Sequence, residues 1–88
     1  MTLNSILFPS SLPTLDLHGT DRDTARVMIE DFIKDNCHMK QPFLVIVHGI
    51  GTGIIKNVTL ETLKNHKKVL DYKLAPFNEG CTLVQIKV

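Results

Sequence analysis

Tryptophan is missing from this chain and tyrosine occurs once, so aromatic residues make up only 6% of it. That scarcity argues against the usual base-stacking platform of single-strand-binding proteins, which lays successive bases on aromatic rings. Cysteine is nearly as rare. Cys37 and Cys81 form no CxxC pair, and nothing near them has zinc-site spacing, so both read as reduced, small and buried side chains. No apolar run is long enough to span a bilayer, and no membrane partner is expected. The start, Met1 to Ser11, lacks the basic region and long apolar stretch of a secretory signal, and the chain reads as cytoplasmic. A basic excess is missing too. Ten Lys and Arg stand against nine Asp and Glu, a net charge of +1 that does not by itself announce a nucleic-acid binder.

What is present is the composition of one small globular domain: 88 residues, 43% hydrophobic and 22% charged. The charges are unevenly spread. From Asp16 to Asp35 acids outnumber bases, with Arg22, Arg26 and Lys34 in the minority; from Ile54 to Lys73 the balance reverses through Lys56, Lys64, Lys67, Lys68 and Lys73. Such asymmetry can make one basic face, although lysines on a helix are more often a solvated surface.

Residues 1–13 read as an irregular, proline-punctuated arm whose Leu3, Ile6, Leu7 and Phe8 pack on the body or on a partner. Residues 14–88 read as the domain. Thr14 to His18 alternates as a strand, with Leu15 and Leu17 on one face and Asp16 and His18 on the other. Gly19 ends it, and Thr20 or Asp21 caps a helix from about Arg22 to about Cys37, whose buried stripe is Ala25, Met28, Ile29, Phe32 and Ile33. Phe43 to Val47 is an unbroken apolar run suited to the centre of a sheet. A second helix follows from about Ile54 to about His66, with Ile55, Val58, Leu63 and either Thr59 or Thr62 inward. Val69 to Leu74 is a third strand, Pro76, Asn78 and Gly80 mark a turn, and Cys81 to Val88 is a fourth strand. The order β-α-β-α-β-β, with helical crossovers between parallel strands and a closing antiparallel hairpin, predicts an α+β two-layer sandwich. Its four-stranded mixed sheet would carry both helices on one face.

Two constellations carry candidate chemistry. The first is Leu15-Asp16-Leu17-His18-Gly19, at the C-terminal end of the first strand, where ligands collect in open α/β sheets. An aspartate beside a histidine can fix its tautomer and make it a general base or acid near neutral pH; read alone, this common triplet more often marks a local pairing and a surface histidine. The second is His48-Gly49-Ile50-Gly51-Thr52-Gly53, entered from a buried strand and left by a helix. Glycines there let backbone N–H groups approach a phosphate, and Lys56 in the first helical turn adds a charge. The spacing matches neither a dinucleotide fingerprint nor a Walker loop, so phosphate binding and a tight packing turn stand about even on that loop alone. Both motifs follow parallel strands, which would open His18 and His48 onto one edge of the sheet.

Together, L-D-L-H-G and H-G-x-G-x-G, followed by Thr59-Leu60-Glu61-Thr62-Leu63 and Asn78-Glu79-Gly80-Cys81-Thr82, resemble the Smr (small MutS-related) family from Thr14 to Val88. The resemblance implies a fold like the C-terminal domain of bacterial translation initiation factor three. It also implies nucleic-acid binding and, in several members, endonucleolytic nicking or cleavage of DNA or RNA, while other members bind without cutting or act at ribosomes. Carried over position by position, Asp16 and His18 match positions linked to cleavage, and His48, Gly49, Gly51 and Gly53 match positions linked to substrate binding. The short Glu79-Gly80-Cys81 departs from the longer glycine-rich stretch of many members. The expectation is therefore an endonuclease with Asp16, His18 and His48 catalytic and Gly49, Gly51, Thr52, Gly53 and Lys56 holding nucleic acid. Its alternative is a non-catalytic module for nucleic acid or the ribosome. On RNA the 2′-hydroxyl supplies the nucleophile and no metal or other cofactor is required; on DNA water must attack, which favours a divalent cation, with Mg²⁺ the candidate.

Overall fold

The computed structural model describes residues 12–76 and 78–88. The packing expected for Leu3, Ile6, Leu7 and Phe8 lies outside those residues. Among the described residues four strands and two helices follow in the order β1 (Thr14–Asp16), α1 (Arg22–His38), β2 (Phe43–Val47), α2 (Ile54–Asn65), β3 (Val69–Ala75) and β4 (Asn78–Ile86). They form one mixed sheet in the order β1-β2-β4-β3, with β1 and β2 parallel and β4 antiparallel to both of its neighbours. No helix among the described residues is long and apolar enough to cross a membrane.

The register divides the side chains between two faces. Leu15, Ile46 and Thr82 line up across β1, β2 and β4, as do Leu44 and Val84 across β2 and β4; cross-strand partners point the same way. Leu44, Ile46, Val84 and Ile86 pack against Ala25, Ile29 and Ile33 of α1 and Val58 and Leu63 of α2, so both helices lie on this face. The opposite face carries Phe43, Val45, Cys81 and Leu83, with Leu12 and Val47 against them. The unbroken apolar run of β2 is thus needed on both sides, since β2 sits inside the sheet.

Both helices begin where expected. Asp21 caps α1, its side chain accepting from the Thr24 N–H at 2.7 Å. Hydrogen bonds from the Thr24 side chain and backbone hold the Asp21 carboxyl below its ordinary value. A carboxylate held low in the folded state stabilises it above the unfolded-state pKa, and that contribution is lost as pH falls through the folded-state value. Asp21→Ala is therefore expected to melt at a lower temperature than the parent at pH 7. The gap should narrow as the pH is taken down through the carboxylate range, as thermal scans by circular dichroism would show; a gap independent of pH would mean that the charge plays no part in the cap.

Four strand boundaries differ from the sequence reading, among them the end of β4, at Ile86 rather than Val88. β1 stops at Asp16 rather than His18, because the chain turns there: Leu17 is buried against the helices, and the Thr20 N–H and hydroxyl both donate to its carbonyl. β3 reaches Ala75, and β4 starts at Asn78 rather than Cys81, because Ala75 pairs with Asn78 across a tight turn at Pro76. In α2 it is Thr59 that faces inward; it is fully buried, and its hydroxyl donates to the Ile55 carbonyl.

Candidate functional site

The parallel pairing of β1 and β2 sets their C-terminal ends side by side. Asp16 is opposite Val47, and the Leu17 N–H donates to the Val47 carbonyl at 2.9 Å. The segments carrying His18 and His48 therefore leave one edge of the sheet together. They do not leave it alike.

Asp16 and His18 are both exposed. The Asp16 carboxylate accepts from the main-chain N–H of His18 at 2.8 Å, closing a turn of the kind aspartate favours. The expectation that Asp16 aligns the His18 imidazole takes a different form here: the carboxylate holds the backbone that carries the ring, and the ring has no hydrogen bond to a described residue. Asp16 lies in a row with Val47 and Cys81 on the face away from the helices. Burial, and then the Asp16 charge, push the Cys81 thiol up, which disfavours its thiolate as a nucleophile.

His48 is buried. Its Nδ1 lies 2.8 Å from the Gly49 carbonyl and its Nε2 2.7 Å from the Thr82 hydroxyl. Thr82 is in the helix-side row with Ile46, so the His48 ring is anchored on the helix side of the sheet and the Asp16 carboxylate lies on the other. The main-chain N–H groups of His48 and Gly49 both donate to the Gly80 carbonyl at 2.9 Å, which stitches the loop entrance to the start of β4. Glycine at 80 eases that close approach: a Cβ there would lie 3.2 Å from Asn78 Oδ1, a tight contact that a small shift of the Asn78 side chain would relieve, and 3.4 Å from the Gly49 Cα, an ordinary contact.

Beyond this anchor the loop opens outward. Gly51 and Thr52 are exposed, and Gly49, Gly51 and Gly53 have φ of 77°, 30° and 84°, in the region where only glycine sits without strain. Apart from the chain neighbours, no atom of a described residue lies within 4 Å of where their Cβ atoms would be, so the outer side of the loop is clear of the described residues. Gly53 caps α2 with no side chain, and the first turn of α2 carries no acid. The opening N–H groups of that helix have no intrahelical partners, and Lys56 stands among them, half-buried.

Sequence reasoning missed some of this site. Arg22 and Arg26, counted in the acidic half, line a cleft of about 200 Å³ with Ile54, Asn57, Val58 and Glu61, because both helices start at the same end of the sheet. Arg26 also pairs with Asp23 at 3.6 Å. Lys64, by contrast, is in the last turn of α2, and Lys67 and Lys68 follow it, so these lysines lie at the end away from the glycine loop. Thr82 could have been flagged by alternation, as a hydroxyl in an otherwise apolar inward row must find a partner. No three His, Cys, Asp or Glu side chains among the described residues are grouped to hold a metal ion.

Comparison with known proteins agrees with this architecture. The family model described as "Smr domain" matches residues 15–87. "Endonuclease MutS2" of Lacticaseibacillus casei is 36% identical over 77 residues, covering 84% of this chain and 10% of the relative. The Enterococcus faecalis protein of that name is 38% identical over 66 residues, covering 75% and 8%. The chain thus spans about a tenth of the length of these curated relatives. Among solved structures, the Smr domain of Thermus thermophilus MutS2 superposes with a TM-score of 0.85 at 24% identity, covering 88% of this chain and all of that one. YdaL, a stand-alone small MutS-related protein from Escherichia coli, gives 0.85 at 21% identity, covering 98% and 72%. With the family model covering nearly the whole described fold and the two motifs placed at one sheet edge, the chain belongs to the Smr domain family.

Proposed function

We propose that this chain binds nucleic acid at the edge formed by the ends of β1 and β2 and cleaves RNA there by metal-independent acid–base chemistry. The observation that carries the reading is the pairing of an exposed histidine, His18, with an open glycine loop leading into an uncapped helix N-terminus. Loop amides and Lys56 would receive a phosphate, with Gly49, Gly51, Thr52 and Gly53 forming the cradle. His18 would take the proton of the ribose 2′-hydroxyl, whose oxygen attacks phosphorus. The bond to the 5′-oxygen breaks, and that oxygen leaves with a proton, giving a 2′,3′-cyclic phosphate and a 5′-hydroxyl. Of the two sources considered for the leaving-group proton, His48 and water, the geometry favours water, because both ring nitrogens of His48 are engaged. Asp16 would contribute by fixing the backbone of His18. The relatives named endonucleases are consistent with this chemistry.

The second reading is a binding module for nucleic acid or the ribosome. It is favoured by one observation, that no carboxylate among the described residues aligns the His18 ring. The test is incubation of the pure protein with labelled RNA, single-stranded DNA and supercoiled plasmid, each with Mg²⁺ and with EDTA. Cyclic-phosphate RNA ends in EDTA are expected, with an affinity that falls linearly with salt on logarithmic axes. Cutting of DNA alone, and only with Mg²⁺, would replace the metal-free route by attack of water, with Asp16 as the available hard ligand. Binding without any cutting would leave the second reading.

A further inference from the structure

We propose that Thr82 is a positioning residue, which acts through the His48 ring to aim the Ile50 N–H outward as a phosphate donor. The inference rests on the glycine-loop reading above and adds a donor and its support. The Gly49 carbonyl oxygen can only accept, so His48 Nδ1, 2.8 Å away, carries the proton. In the neutral ring Nε2 is then an acceptor, and the Thr82 hydroxyl donates to it across 2.7 Å. Thr82 is fully buried and His48 nearly so, which leaves this chain of bonds no easy replacement by water.

The consequence follows from peptide geometry. In a planar trans peptide the C=O and the next N–H point in opposite directions. The Gly49 carbonyl is drawn inward to the ring, so the Ile50 N–H, on the same plane, points away from it. No described residue accepts from that N–H, and Ile50 itself is exposed. The positive φ of Gly49 is what lets its carbonyl fold back on the preceding side chain. The Gly80 carbonyl already occupies the N–H groups of His48 and Gly49, so Ile50 is the first residue of the loop whose amide is free for an anion.

The test reads the ring and the amide separately. Long-range ¹H–¹⁵N spectra of the wild-type imidazole should show His48 protonated at Nδ1 and bare at Nε2. A ring protonated at Nε2 overturns the proposal without any variant. Titration with inorganic phosphate, and then with an RNA oligonucleotide, should move the Ile50 amide resonance. In Thr82→Val, which keeps the shape and loses the hydroxyl, the ring spectrum should change, the Ile50 amide should shift, and phosphate and RNA should bind at least about tenfold more weakly. Thr82→Ser should restore all three. A Thr82→Val protein that keeps the wild-type ring spectrum, or responds to phosphate and RNA as the wild type does, overturns the proposal alone. An Ile50 amide that ignores both ligands in the wild type removes the phosphate reading of the loop, and this proposal with it.

Discussion

His18→Ala is expected to lower the rate of RNA cleavage by roughly two to four orders of magnitude, the range that a positioned general base contributes. Affinity for uncleaved RNA should change little, because the proposed site gives the phosphate to loop amides rather than to the imidazole. The melting temperature should not move, since His18 is exposed and its ring bonds to no described residue. Single-turnover kinetics beside equilibrium binding would separate these quantities. Asp16 supplies an internal control. Its carboxylate accepts from the His18 backbone N–H, and an asparagine oxygen can do the same. Asp16→Asn should therefore keep much of the rate, while Asp16→Ala should lose more of it. A substrate carrying a 2′-deoxy sugar at the cut should be bound and left whole. If His18→Ala and the parent cut RNA equally well, the assignment of the base is wrong. If neither cuts any substrate and both bind, the chain is a binding module.

The second large effect is expected at the loop. Gly51→Val should weaken nucleic-acid binding by at least about tenfold while the protein still folds. Two features lead to this. Apart from its chain neighbours, a Cβ at Gly51 would meet no atom of a described residue within 4 Å, so these residues leave room for the side chain. In the proposed cradle the space it would fill is the anion's, and a β-branched residue at a φ of 30° costs on the order of 1–2 kcal/mol and would shift the loop amides. Fluorescence anisotropy with a labelled oligonucleotide and a thermal melt would measure both sides. A Gly51→Val protein that folds and binds as tightly as the parent would show that the glycines serve only the turn.

Much of the fold was legible in the chain because local rules and tertiary structure agree. The period of Ala25, Ile29 and Ile33, the Asp21 cap and the unbroken run Phe43 to Val47 each specify an element without reference to a neighbour. Boundaries were less legible where a tertiary bond overrides alternation. Leu15 to His18 alternates as a strand, yet β1 ends at Asp16 because its side chain captures the next-but-one N–H and the chain turns. β4 begins three residues earlier than its alternation suggests, because pairing with Ala75 organises Asn78.

The candidate site divides along the same line. By itself the sequence determined which residue types stand at the strand ends: the histidine after β1, the glycines after β2 and the lysine in the first turn of α2. These are consequences of order along the chain, and a glycine needed at positive φ is a local matter. Only the tertiary structure decided which groups meet. It put Asp16 and His48 on opposite faces of the sheet, tied His48 to Thr82 and Gly49 to Gly80, and brought Arg22 and Arg26 beside the start of α2. Those contacts join segments from distant parts of the chain through strand register and helix packing, and one residue of register is enough to move a side chain to the other face of a sheet.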